Sequence, residues 1–197
     1  MLKLTKQDVP RAANLLTEAF FEDGLVLRMC PDAAGRAERV RPVFKFSAHM
    51  AVYAGEAWAH STGMEGVALW LYSWRMECPP IHWLWFGGLN IRRRLGAEAY
   101  NELITVSDRI DRARDSVAPK RYLYLSTLGV GRAHQRQGVA TALVADRIRS
   151  AAGEGLSTIV ETNTTGALEF YRSVGFVERK AFRAAEMDYH VLEYKAK

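Results

Sequence analysis

The segment that most restricts the fold is a β-rich run, Tyr122–Val130, which leads through a short link into a helix start. The link is Gly131-Arg132-Ala133-His134, and the helix start reads Gln135-Arg136-Gln137-Gly138-Val139-Ala140. A strand that feeds a helix in this way belongs to a sheet with helices packed on it. The turn is also an anion site. The first N–H groups of a helix have no partner inside it. The aligned peptide dipoles place roughly half a positive charge at that end. A diphosphate seated there is stabilised by both. Gly138 lets the backbone approach it without a Cβ in the way. Small Ala140 permits the same approach, and Arg136 adds a cation.

Two other nucleotide loops do not fit. The sequence has no G-x-x-x-x-G-K-[ST], and no G-x-G-x-x-G with an acid about 20 residues on. The net charge of +5 suits an anionic ligand but is too small and too scattered to imply nucleic acid. The run Ile91-Arg92-Arg93-Arg94 lacks interleaved aromatics and reads as a solvated helix face. Cys30 and Cys78 have neither metal-ligand nor redox spacing, so no metal site is expected and both read as free thiols in a reducing cytosol. Met1–Pro10 is mixed and polar, with no signal peptide. The most apolar stretch, Ile81–Leu89, is too short to span a bilayer. A cytoplasmic protein is expected, and 197 residues fit one domain, 1–197.

Hydrophobic spacing predicts helices after Thr5–Asp8 (Val9 to Phe20), over 36–53 and over 97–113. Gly55–His60 and Val67–Tyr72 read as a strand pair. Downstream, the order is strand, loop, helix (138–152), strand (156–162), helix (165–173) and two more strands (176–182 and 187–194). The aromatic-rich segment from Trp70 to Phe86 reads mainly as core. Its alternative is an acceptor pocket lined by Trp74, Trp83 or Trp85.

Gln135-x-x-Gly138-x-Ala140, after Leu128-Gly129-Val130, resembles the phosphate-loop motif of the GCN5-related N-acetyltransferase (GNAT) superfamily. Ala167-x-x-x-Tyr171-x-x-x-Gly175-Phe176 resembles that family's second motif, at the expected distance downstream. The match is good over 121–178. Gly66-Val67-Ala68-Leu69-Trp70 is loosely similar to the puromycin acetyltransferase-like branch.

The resemblance implies an α/β fold, a mixed twisted sheet of about seven strands flanked by helices. It implies an acceptor-side half, 1–115, and an acetyl-CoA-binding half, 121–197. It implies transfer of acetyl from acetyl-CoA to a primary amine, either a small molecule or a peptide amine, with no nucleic acid or membrane partner. Relatives pair through sheet edges, so a homodimer is also implied. Leu128, Gly129 and Val130 would pair with the pantetheine arm, with a bulge easiest at Gly129. The Val130 N–H would hold the oxyanion. Gln135, Arg136, Gln137, Gly138, Val139, Ala140 and Thr141 would cradle the phosphates. Asn163 or Thr164, with Ala167 and Phe170, would line the arm. Tyr171 would protonate the leaving thiolate.

The general base is harder to place. Tyr124, Ser126 and Leu128 are expected on one face of the strand, and none is an acid. Glu22, Asp23, Glu65 and Glu161 are the candidates elsewhere. Glu161 is preferred because strand ends in α/β sheets open onto sites. His134, beside the loop, reads as exposed. The missing strand carboxylate keeps a second class open, a coenzyme A-binding sensor or scaffold without chemistry.

Overall fold

The computed structural model describes residues 1–196. Seven strands form one mixed sheet in the order β1-β2-β3-β4-β5-β7-β6. They are β1 (Leu2–Lys3), β2 (Gly55–Ala59), β3 (Gly66–Tyr72), β4 (Tyr122–Val130), β5 (Ser157–Thr162), β6 (Val177–Ala184) and β7 (Met187–Tyr194). Only β4 and β5 run parallel. The helices are α1 (Val9–Ala19), α2 (Gly24–Met29), α3 (Arg36–Ala54), α4 (Pro80–Trp85), α5 (Gly88–Leu95), α6 (Ala97–Asp115), α7 (Val139–Gly153) and α8 (Thr165–Ser173).

Two cores lie on opposite faces of the sheet. β3 shows why. Its residues are buried on both sides, with Val67 and Leu69 facing α1, α3 and α5, and Ala68 and Trp70 facing α7. Helix α1 starts as expected, with a refinement of its cap. The Asp8 carboxylate reaches back to accept from the Thr5 N–H and hydroxyl, both at 2.8 Å, rather than capping the helix. The sequence reading missed α2. Its signal is Asp23, whose Oδ1 accepts from the N–H groups of Leu25 and Val26 at 2.9 and 3.3 Å.

Gly129 is a close-approach position, not a bulge. A Cβ there would lie 2.7 Å from Leu16 Cδ2 and 3.2 Å from Ala19 Cβ. Its absence lets α1 rest directly on β4. Gly129→Val is therefore expected to lower stability by about 1–3 kcal/mol through overpacking, read as a lower denaturation midpoint at unchanged slope.

The expectation that the aromatic segment is mainly core holds only in part. Trp70 is fully buried, Phe86 packs on Met50 and Ala54, and Trp74 and Trp85 are exposed. Arg92, Arg93 and Arg94 are exposed in the last turn of α5, where cations favour the helix dipole. No helix among the described residues is long and apolar enough to cross a membrane.

Candidate active site

Strands β4 and β5 pair from Tyr122–Ser157 to Leu125–Val160, and there the pairing stops. β4 nevertheless continues to Val130 and β5 to Thr162. The cause is a bulge. Opposite β3, Leu69 faces Thr127 and Trp70 faces Leu125, so Ser126 is an extra residue. Bulges bend a strand and sharpen its twist. The Ser126 hydroxyl fixes this one by donating to the Leu69 carbonyl at 3.1 Å.

The expected bulge at Gly129 is thus displaced to Ser126, which overturns the expected shared face. Tyr122 and Tyr124 lie on the α6 side, and after the bulge Gly129 takes that side against α1. Leu123, Leu125, Leu128 and Val130 belong to the α7 and α8 core.

The splay leaves backbone groups free. The Gly131 N–H donates to the Glu65 carbonyl at 2.9 Å, making that pair hydrogen-bonded. The adjacent pair, Gly66–Val130, is then a non-hydrogen-bonded one. By the same alternation Leu128 and Val130 turn their N–H and C=O away from β3, toward the side that β5 has left. The Gln135 side-chain amide reaches the Val130 carbonyl there, at 3.3 Å.

A cleft of about 530 Å³ fills this opening. Leu128, Gly129, Val130, Gln135, Glu161, Asn163, Thr164, Ala167 and Tyr171 all line it. The phosphate loop sits at its edge. Arg136 and Gln137 are exposed, and Gly138 stands at the cap position before α7 with φ +82°. No atom lies within 4 Å of a Cβ built on Gly138, so its left-handed backbone is what demands glycine. Val139 is buried, leaving its backbone as the part a ligand can reach, and Phe170 packs beside Tyr171. Arg136, Gln137, Gly138, Val139, Ala140, Thr141 and Phe170 are outside the cleft lining. Thr164 caps α8, its hydroxyl accepting from the Ala167 N–H at 3.4 Å.

Glu161 is the charged centre. Its side chain is 5% exposed, and burial pushes its pKa up to about 7. The nearby Arg114 guanidinium and the Tyr124 hydroxyl pull the other way. Arg114 comes from the end of α6, with Nη1 3.6 Å from Glu161 Oε1. It is fixed by Asp111 at 2.6 Å and the Tyr122 hydroxyl at 3.0 Å, and lies over the Tyr124 ring at 4.4 Å. Tyr171 is buried, and desolvation, reinforced by Glu161, holds its hydroxyl well above the ordinary tyrosine range.

A second cavity, about 300 Å³, opens on the other side of the same splay. Phe20, Asp23, Ser126, Thr127, Glu161, Thr162 and Asn163 line both spaces, so the two meet around Glu161. Helices α2, α3 and α6 wall the second cavity, and nothing from Trp70–Phe86 reaches it. Trp74, Trp83 and Trp85, the alternative lining considered for an acceptor pocket, face neither space.

The other carboxylates fare differently. Glu65 is outside both cavities, bonded to the Ser61 hydroxyl, and its pKa is lowered to about 2. Glu22 lies at the cleft rim, 59% exposed, near Arg36 and Arg132. Asp23 lines both cavities, and burial raises its pKa. His134 is exposed. Sequence reasoning missed Arg114, which sits among ordinary helix charges and meets Glu161 only through tertiary packing.

The model of the acetyltransferase (GNAT) family matches residues 71–176, more than half of the chain. The chain belongs to the GNAT acetyltransferase family. It is an acetyl-CoA-dependent acyltransferase, with acetyl-CoA as co-substrate. The unpaired N–H groups of Leu128 and Val130, and the free first turn of α7, fit the amide-bearing arm and the diphosphate of that molecule.

Solved GNAT structures share the fold. A Corynebacterium glutamicum protein described as histone acetyltransferase HPA2 and related acetyltransferase is 23% identical, with TM-score 0.67, over 100% of this chain and 95% of that one. A putative arylalkylamine N-acetyltransferase of the yellow fever mosquito is 14% identical, with TM-score 0.67, over 99% and 86%. An N-acetyltransferase of Staphylococcus aureus is 14% identical, with TM-score 0.58, over 96% of each chain. These likenesses do not single out a branch within the family.

Proposed function

We propose that this GNAT enzyme acetylates a primary amine by direct attack, with residues 1–197 acting as one domain. Acetyl-CoA supplies a thioester-activated acetyl group and a thiolate as leaving group. Everything else is done by the chain. The 121–197 half holds the donor in the cleft between β4 and β5, and the 1–115 half shapes the acceptor cavity.

An amine with a pKa of about 10.4 loses roughly 4–5 kcal/mol to deprotonation at pH 7. Glu161 takes that proton. Its pKa of about 7 matches the task, since a base works best when its pKa lies near the working pH. Arg114 positions the carboxylate from behind. The Val130 N–H donates to the carbonyl oxygen as it gains charge. Tyr171, protonated at any working pH, donates to the departing sulfur. Asn163 and Thr164, with Ala167, flank the donor arm.

The observation that carries this reading is the buried Glu161 carboxylate at the neck shared by two cavities. It also weighs against a coenzyme A-binding module, the case for which rested on β4 having no acid. The test is thiol release with a panel of amines, with products identified by mass. One acetylated amine per thiol released is expected. Tight coenzyme A binding without turnover on any amine would establish the module instead.

A further inference from the structure

The second cavity has a chemistry of its own, which narrows the acceptor. Its neck holds two carboxylates, Glu161 and Asp23. The α2 cap uses one oxygen of Asp23, leaving the other for a ligand. The Tyr189 hydroxyl is buried beside them, near Asn163. Beyond this neck the walls are apolar, with Met29 from α2, Val43 and Phe44 from α3, and Leu103 and Ile110 from α6. Only Ser47 and Ser107 interrupt them, and among the described residues no lysine or arginine lines the cavity.

Resting on the amine-transfer reading above, we infer that the acceptor is a compact primary amine carried on a short arm from a single apolar body of about aromatic-ring size. The ammonium sits at the acidic neck and the body among the apolar walls. A cavity of 300 Å³ is at the small end of ligand sites. It is about twice the ~150 Å³ that admits benzene. A polyamine would place a second ammonium among Leu103, Ile110 and Met29, where no anion meets it. An amino sugar would bury its ring hydroxyls beyond the neck among apolar walls that offer only Ser47 and Ser107. An amino acid would find no cation for its carboxylate.

The experiment compares 2-phenylethylamine, spermidine, glucosamine and free lysine by kcat/KM. It also measures binding of each amine by calorimetry with coenzyme A present. 2-Phenylethylamine is expected to exceed the others at least ~10-fold in both, a factor that one well-filled apolar pocket supplies. Leu103, half-buried, offers a charge-insertion test. Leu103→Asp is expected to weaken 2-phenylethylamine binding and improve spermidine binding. Ser47→Phe, which fills the cavity, is expected to reject 2-phenylethylamine and retain propylamine. Retained coenzyme A affinity certifies each variant as folded. A preference for spermidine, glucosamine or lysine in the unaltered protein overturns the inference and leaves amine transfer standing. Variants that alter all amines equally also overturn it. No thiol release with any amine removes the amine-transfer reading, and this inference with it.

Discussion

Tyr171→Phe is expected to lower kcat by about 10²–10⁴-fold, the range for loss of a positioned general acid, with coenzyme A affinity nearly unchanged. The asymmetry follows from where the residue sits. The ring is buried and packs on Phe170 and Phe176 at 5.1 and 5.5 Å between centroids. Phenylalanine keeps that packing and removes only the hydroxyl. Desolvation keeps the hydroxyl protonated through neutral pH, so it is available as a donor at each turnover. A departing thiolate, with a thiol pKa near ~8.5, is stabilised by a hydrogen bond from it as the sulfur gains charge. Steady-state kinetics with a fixed amine, alongside coenzyme A titration, decide the matter. An unchanged kcat would remove Tyr171 from the chemistry and leave it as packing.

Glu161→Gln is expected to cost a similar factor in kcat/KM and to change the pH profile. Burial raises the carboxyl to about 7, so the ionised form that accepts a proton appears only as pH rises through that value. The acid limb of kcat/KM in the unaltered enzyme therefore breaks near pH 7, with activity lost below it. In the variant that break disappears, and only the amine's own ionisation remains. Arg114 sharpens the prediction. Its guanidinium stabilises the carboxylate, so removing its charge should move the break upward, toward higher pH. A Glu161→Gln profile that keeps the break near pH 7 would assign it to another group. Asp23 is the next carboxylate at the neck.

Local chemistry made much of this fold legible. β4, α8 and β7 fall on the predicted residues because their limits are set locally, by β-rich patterning, by the cap at Thr164 and by the glycine at 175. The turn into α7 was legible for the same reason, since Gly138 and the helix start are consecutive. Helix α2 was not, because it has only six residues and its cap, Asp23, was read as a loop acid. The bulge was misplaced because a register shift belongs to two strands, and Ser126 carries no mark of it in its own chain. Gly129 drew the eye as a glycine in a strand, but its reason lies 113 positions away in sequence, at Leu16. The second cavity is built by α2, α3 and α6 from three separated stretches, so no window of sequence displays it. Glu161 was found by its place at a strand end. Its raised pKa and its link to Arg114 exist only in the folded protein.

The central claim is that the splay between β4 and β5 holds the donor with its reacting carbon at the neck occupied by Glu161. A crystal structure of the protein with acetyl-CoA tests it most directly. The account predicts the thioester between Leu128–Val130 and Ala167–Tyr171. Its carbonyl oxygen should lie about 2.7–3.1 Å from the Val130 nitrogen, and its sulfur within hydrogen-bond reach of the Tyr171 hydroxyl. An acyl group held elsewhere on the sheet, with Glu161 and Tyr171 out of its reach, would contradict it.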